Sequence, residues 1–149
     1  MAIRYAHTNI IAENWQRLAN FYRPVFSCRA VPPQRNQSGS WLARGTGVPG
    51  AALQGVRLRL PGHGDTGPTL EIYSYSQMED KLPAVANRKG LSPLAFGVDS
   101  VSETLQEVLA QGGRAIGEVV TTEVPGAGQI TFCYAADPEG NLLELQAWG

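Results

Sequence analysis

"DPEGNLLELQAW", residues 137–148, is the stretch on which the fold reading turns. Its first five residues are turn chemistry: Asp and Asn side chains bond nearby backbone, Pro presets φ, and Gly accepts a positive φ. The remainder, "LLELQAW", reads as a strand, with Glu144 between Leu143 and Leu145. Successive strand side chains point to opposite faces, so if both leucines face a core, the carboxylate faces away from it. A carboxylate in the middle of a sheet needs a partner, because burying it alone costs several kcal/mol.

The same arrangement occurs earlier, in "PTLEIYSYS" at 68–76, where Glu71 lies between Leu70 and Ile72. Working outward from the two stretches, each closes a similar series of elements. In the second half, "SPLAFGV" reads as a strand. Ser100 and Glu103 form an S-x-x-E capping box that opens a helix with Val101, Leu105, Val108 and Leu109 on one face, and Gly112-Gly113 ends it. "RAIGEVVTTEV" and "QITFCYAA" follow as strands, joined by the turn "PGAG". In the first half, residues 3–12 read as a strand and Asn14 as a helix N-cap. Trp15, Leu18, Ala19, Tyr22 and Phe26 then make one apolar stripe, and Pro24 is expected to kink or end that helix early. Residues 27–32 read as a strand, "SGSWLARGTG" as a loop with one helical turn starting at Ser40, and "AALQGVRLRLP" as a strand. "GHGDTG" is a turn before the strand carrying Glu71.

Each half is therefore β-α-β-β-β, an internal duplication of about 60 residues per copy. The fold class is α+β: two tandem βαβββ modules, 1–76 and 91–149, joined by a polar linker at 77–90 within one domain of residues 1–149. Overlaying the halves places Glu71 on Glu144, Tyr75 on Trp148, Asn14 on Ser100, and His7 on Pro93. A histidine on the first strand and a glutamate on the last of a module are a hard, oxygen-rich donor pair. Two such modules about a pseudo-twofold axis describe a metal site.

Bulk properties narrow the alternatives. The 149 residues are 43% apolar and 17% charged, an ordinary globular composition, and the formal net charge is −1 with scattered basic residues. That gives no electrostatic footprint for a nucleic acid or an anionic membrane. No apolar run reaches membrane-spanning length and the N-terminus has no signal-peptide core, so a cytoplasmic protein is expected. Cys28 and Cys133 have no C-x-x-C spacing and read as buried, reduced thiols.

With "YAHTNI", "PTLEIYSY" and above all "DPEGNLLELQAW", the chain resembles the vicinal oxygen chelate superfamily. That superfamily includes glyoxalase I, methylmalonyl-CoA epimerase, extradiol dioxygenases, fosfomycin-resistance transferases and bleomycin-resistance proteins. The resemblance covers essentially the whole chain. It implies curved mixed sheets enclosing a cleft around a divalent metal, with ligand positions at His7, Glu71, Pro93 and Glu144. Proline has no ligating side chain, so three donors remain. They favour Mn²⁺, Mg²⁺, Co²⁺ or Ni²⁺ over Zn²⁺. The implied activity is a metal-dependent lyase or isomerase acting next to a carbonyl, with Glu144 or Glu71 as base and Tyr73, Tyr75 and Trp148 lining the substrate cleft. The alternative is a metal-free protein that binds or sequesters a small molecule. Whether the chain is an enzyme stays open at this point. An extradiol dioxygenase is disfavoured because its iron needs a second histidine. His63 in "GHGDTG" is the one other imidazole. Family members of this length imply a homodimer, built with or without module exchange.

Overall fold

In the computed structural model, which describes residues 1–149, the chain divides into two compact units, Met1–Lys81 and Leu82–Gly149. The first unit contains β1 (His7–Ile11), α1 (Trp15–Phe26), β2 (Arg29–Ser38), α2 (Ser40–Thr46), β3 (Ala52–Arg59) and β4 (Thr69–Tyr75). Its sheet has the order β1-β4-β3-β2, with β1 parallel to β4 and the other pairs antiparallel. The second unit contains β5 (Leu94–Gly97), α3 (Val101–Ala110), β6 (Arg114–Ala115), β7 (Val120–Val124), β8 (Gly128–Ala136) and β9 (Leu142–Trp148). There β5 lies parallel to β9, β9 pairs with β8, and both β6 and β7 pair with β8. With β6 and β7 counted as one interrupted strand, both units share one topology, in which the first strand lies beside the last.

Helix α1 starts as expected, with the Asn14 side chain accepting from the Arg17 N–H at 3.0 Å. Pro24 does not end it: the helix continues to Phe26 and stops at Ser27, which adopts φ 55°. Pro24 lies in the last turn, where only one backbone hydrogen bond is lost. Carrying the helix on buries Phe26 against Phe21 and Tyr22, with ring centroids 6.2 and 5.9 Å away. Trp15, Leu18, Ala19, Phe21, Tyr22 and Phe26 are all buried against the sheet. α3 is capped by Ser100 Oγ, which accepts from the Glu103 N–H at 3.2 Å. Val101, Leu105 and Val108 are buried, whereas Leu109, expected on the same face, is 41% exposed. It sits at the edge of the stripe, one residue past Val108.

Three strand boundaries also differ from the sequence reading. β1 is shorter than 3–12; Met1, Ile3 and Tyr5 are exposed and outside the sheet. β2 runs well past residue 32, through Pro32 and Pro33, because as an edge strand it can spare their missing N–H donors. The segment 114–124 is two strands rather than one. The N–H groups of Ile116 and Gly117 both donate to the Tyr134 carbonyl, an interruption that separates β6 from β7. The helical turn foreseen at Ser40 is α2. No helix is long and apolar enough to cross a membrane.

Candidate functional site

Strand alternation predicts that Glu71 points away from α1, and the register determines what it meets there. On that side of the first sheet, His7 and Asn9 of β1 neighbour Thr69 and Glu71 of β4. Arg57 of β3 lies directly across from Glu71, and Gly55 across from Tyr73. On β2, Val31 faces Arg57 and Arg35 faces Gly55. Four steps along β2, from Val31 to Arg35, thus match two along β3, and the two extra residues are accommodated in a bulge at the prolines. Because the insertion is even, Arg35 stays on the face of Glu71.

His7 and Glu71 meet on this face. His7 Nε2 is 2.8 Å from Glu71 Oε2, with the carboxylate largely buried and the imidazole side chain 45% exposed. The other carboxylate oxygen, Oε1, accepts from the Tyr73 hydroxyl at 2.9 Å. Burial, that hydrogen bond and the Glu71 charge push the Tyr73 phenol up to about 12, against the opposing pull of Arg35. The phenol is therefore a fixed donor at neutral pH. Gly55 permits this placement. A Cβ at Gly55 would stand 2.4 Å from Cδ1 of the Tyr73 ring and 2.0 Å from the Ile72 carbonyl oxygen. The ring itself packs with Leu42 of α2, Ala51 and Leu53, and Tyr75 covers the same cluster. Tyr73 thus serves both packing and the site. Beyond it, Tyr75 joins Ile11, Val48, Pro49 and Met78 around an open cavity of about 650 Å³.

In the second unit, Glu144 occupies the corresponding strand position. Leu143 and Leu145 are fully buried, and Glu144, half-buried, lies on the opposite face beside Tyr134 and Ala95. The overlay of the halves holds in the registers. His7 stands two residues before Asn9, the partner of Glu71, and Pro93 stands two before Ala95, the partner of Glu144. Trp148 is 50% exposed and its indole donates to Gln146 Oε1 at 2.6 Å. His63 is exposed on the β3–β4 loop. Within neither unit do three His, Cys, Asp or Glu side chains gather as a ligand set. The first unit supplies a histidine–carboxylate pair.

Sequence reasoning missed Arg57, Arg35 and Gly55. The alternation in "LQGVRLRL" that turns Val56 and Leu58 toward α1 also puts Arg57 on the Glu71 face, so that one signal was present. Arg35 could not be placed without the bulge.

The fold is that of a two-module vicinal oxygen chelate protein. The family model for the Glyoxalase/Bleomycin resistance protein/Dioxygenase superfamily matches residues 4–145, and the chain belongs to that superfamily. Among solved structures, a glyoxalase family protein from Bacillus cereus is similar, with TM-score 0.85 and 21% identity over 99% of this chain and 95% of that one. An integron cassette protein from the mobile metagenome of V. cholerae is similar at TM-score 0.59 and 24% identity, over 100% and 98% of the two chains. A glyoxylase/bleomycin resistance protein/dioxygenase domain from Frankia is similar at TM-score 0.60 and 16% identity, over 100% and 98%. No curated protein matches the sequence.

Proposed function

We propose that this chain is a metal-dependent lyase or isomerase of the glyoxalase or epimerase type, acting next to the carbonyl of a small organic substrate. The observation that carries the reading is the His7–Glu71 pair, whose donor atoms lie 2.8 Å apart. Two ligands in adjacent positions of an octahedral ion, each about 2.1 Å from it, are about 3 Å apart. The pair therefore has the bite of a divalent-metal site. A bound ion would stabilise negative charge on a substrate oxygen. Tyr73 supports the pair from outside by holding Glu71 Oε1, which fixes the carboxylate plane. Glu144, half-buried at the matching place in the second repeat, is the carboxylate we assign to proton transfer beside the carbonyl.

Pro93 supports a loosely held ion, since the family's second imidazole is missing from the position it occupies. Titration calorimetry with Mn²⁺, Ni²⁺ and Zn²⁺ tests the reading. The unaltered protein is expected to bind weakly and to be stripped by chelator, His7→Ala to lose binding, and Pro93→His to bind at least about tenfold tighter, or 1.4 kcal/mol. No binding by either the unaltered protein or Pro93→His removes the metal-dependent reading. The second reading, a metal-free binding protein, then takes its place. It is favoured by the fact that both oxygens of Glu71 already have protein partners.

A further inference from the structure

The Glu71 face carries more positive charge than its own carboxylates neutralise. Arg29, Arg35, Arg57 and Arg59 all fall on it by register, against Glu71 alone among the strand residues. Two of the four are accounted for. Arg29 pairs with Asp65 of the β3–β4 loop at 2.8 Å, and Arg59 donates to the Gly67 carbonyl. Arg57 is different. It lies across from Glu71 but forms no ion pair with it; Glu71 is held by His7 and Tyr73. The Arg57 Nε is buried and has no hydrogen-bond partner. Arg35, one step along the sheet, bears on the Tyr73 hydroxyl and has no carboxylate partner either.

A buried guanidinium N–H with nothing to donate to carries a desolvation penalty that an incoming acceptor removes. Guanidinium groups present paired N–H donors in a plane, a shape that matches two oxygens of a carboxylate or phosphonate. We propose that Arg57 and Arg35 form an oxyanion subsite for the substrate, so that the ligand of this face is a small organic acid. The inference rests on the reading of the His7–Glu71 face as the ligand site.

The surroundings specify the remainder of such a ligand. Tyr75 and Leu53 stand two residues beyond Tyr73 and Gly55 on the same face, about 7 Å along the strands at strand rise. Tyr75 is one wall of the open cavity that Ile11 and Val48 also bound. A ligand with its oxyanion on Arg57 and Arg35 and an apolar body about 7 Å away would occupy both. His7 and Glu71 lie on the opposite side of Arg57 from β2, within reach of a carbonyl next to the acid group.

The test uses metal-free protein, so that it does not depend on the ion. Calorimetry measures binding of 3-phenylpropanoate, its phosphonate counterpart 2-phenylethylphosphonate, and the neutral 3-phenylpropanamide. The expected result is that at least one of the two anions binds at least about tenfold more tightly than the amide. In Arg57→Gln and Arg35→Gln that preference falls by about tenfold or more while the amide is unaffected; Arg57→Lys, which keeps charge without the fork, lies between. Which anion binds tells carboxylate from phosphonate recognition. His7→Ala retains the preference, which separates this subsite from the metal reading. Equal binding of anion and amide by the unaltered protein, or a preference unchanged in Arg57→Gln, overturns the proposal. Circular dichroism of each variant checks its fold, and Arg35→Gln, on the edge strand, decides the matter if Arg57→Gln does not fold.

Discussion

Tyr73 shows how one side chain acquires two functions from its surroundings. Its ring is part of the Leu42–Ala51–Leu53 cluster, and its hydroxyl ends on Glu71 Oε1. Because the folded phenol ionises at about 12 and an unfolded one at about 10, the sign of its contribution is determined. The stabilisation is fully present below pH 10 and is lost as the pH rises from about 10 through about 12. Spectrophotometric titration of the native protein is expected to show a phenolate component near pH 12 that is absent in Tyr73→Phe. Denaturant midpoints of the two proteins are expected to converge over the same interval. A Tyr73→Phe curve that keeps the high component would mean that another tyrosine produces it.

At the scale of elements, the β8–β9 turn is tied by the side chain of one buried residue. Asp137 is 1% exposed, and its Oδ1 accepts from the N–H groups of Glu139 and Asn141 at 2.9 and 3.0 Å. Its Oδ2 accepts from the Asn141 side chain at 2.8 Å. The turn places β9 in register with β8 and so sets which face Glu144 occupies. Asp137→Ala strands these three part-buried donors and is expected to cost about 2 kcal/mol, read as a lowered urea midpoint. Asp137→Asn, which keeps one acceptor oxygen, is expected to cost less. Equal losses would mean that charge, rather than the acceptor geometry, holds the turn. The turn's residues were legible as a turn from sequence because Asp, Pro, Gly and Asn act locally. The β6–β7 interruption was not legible: it depends on two N–H groups sharing the Tyr134 carbonyl, a partner on another strand.

Across the whole molecule, each unit has its own apolar core and each core holds one thiol. Cys28 is 3% and Cys133 1% exposed, and neither is in a disulfide. Burial pushes the Cys28 thiol up to about 11 and raises that of Cys133 as well, so the reactive thiolate is scarce at neutral pH. Neither is expected to react with an aromatic disulfide reagent in native buffer at about pH 8, and both to react in denaturant. The single-thiol variants Cys28→Ser and Cys133→Ser then report the opening of the second and the first unit, respectively. Rapid reaction of either thiol in native buffer would contradict its burial.

Sequence alone was enough for the two βαβββ repeats, the helix starts at Asn14 and Ser100, the turn at 137–141, and the faces of Glu71 and Glu144. All of these follow from interactions spanning a few residues: periodicity, capping and turn chemistry repeat locally and can be read along the chain. The tertiary structure alone decided which groups share the face of Glu71. His7 reaches it from a strand more than 60 positions away in sequence, Arg57 from the neighbouring strand, and Arg35 only because the bulge at Pro32–Pro33 inserts an even number of residues. It also decided that Pro24 stays inside α1, since burying Phe26 against two aromatic rings outweighs one lost backbone bond. Strand pairing joins residues by register across distance in the chain, and a shift of one residue would turn each of these side chains to the other face.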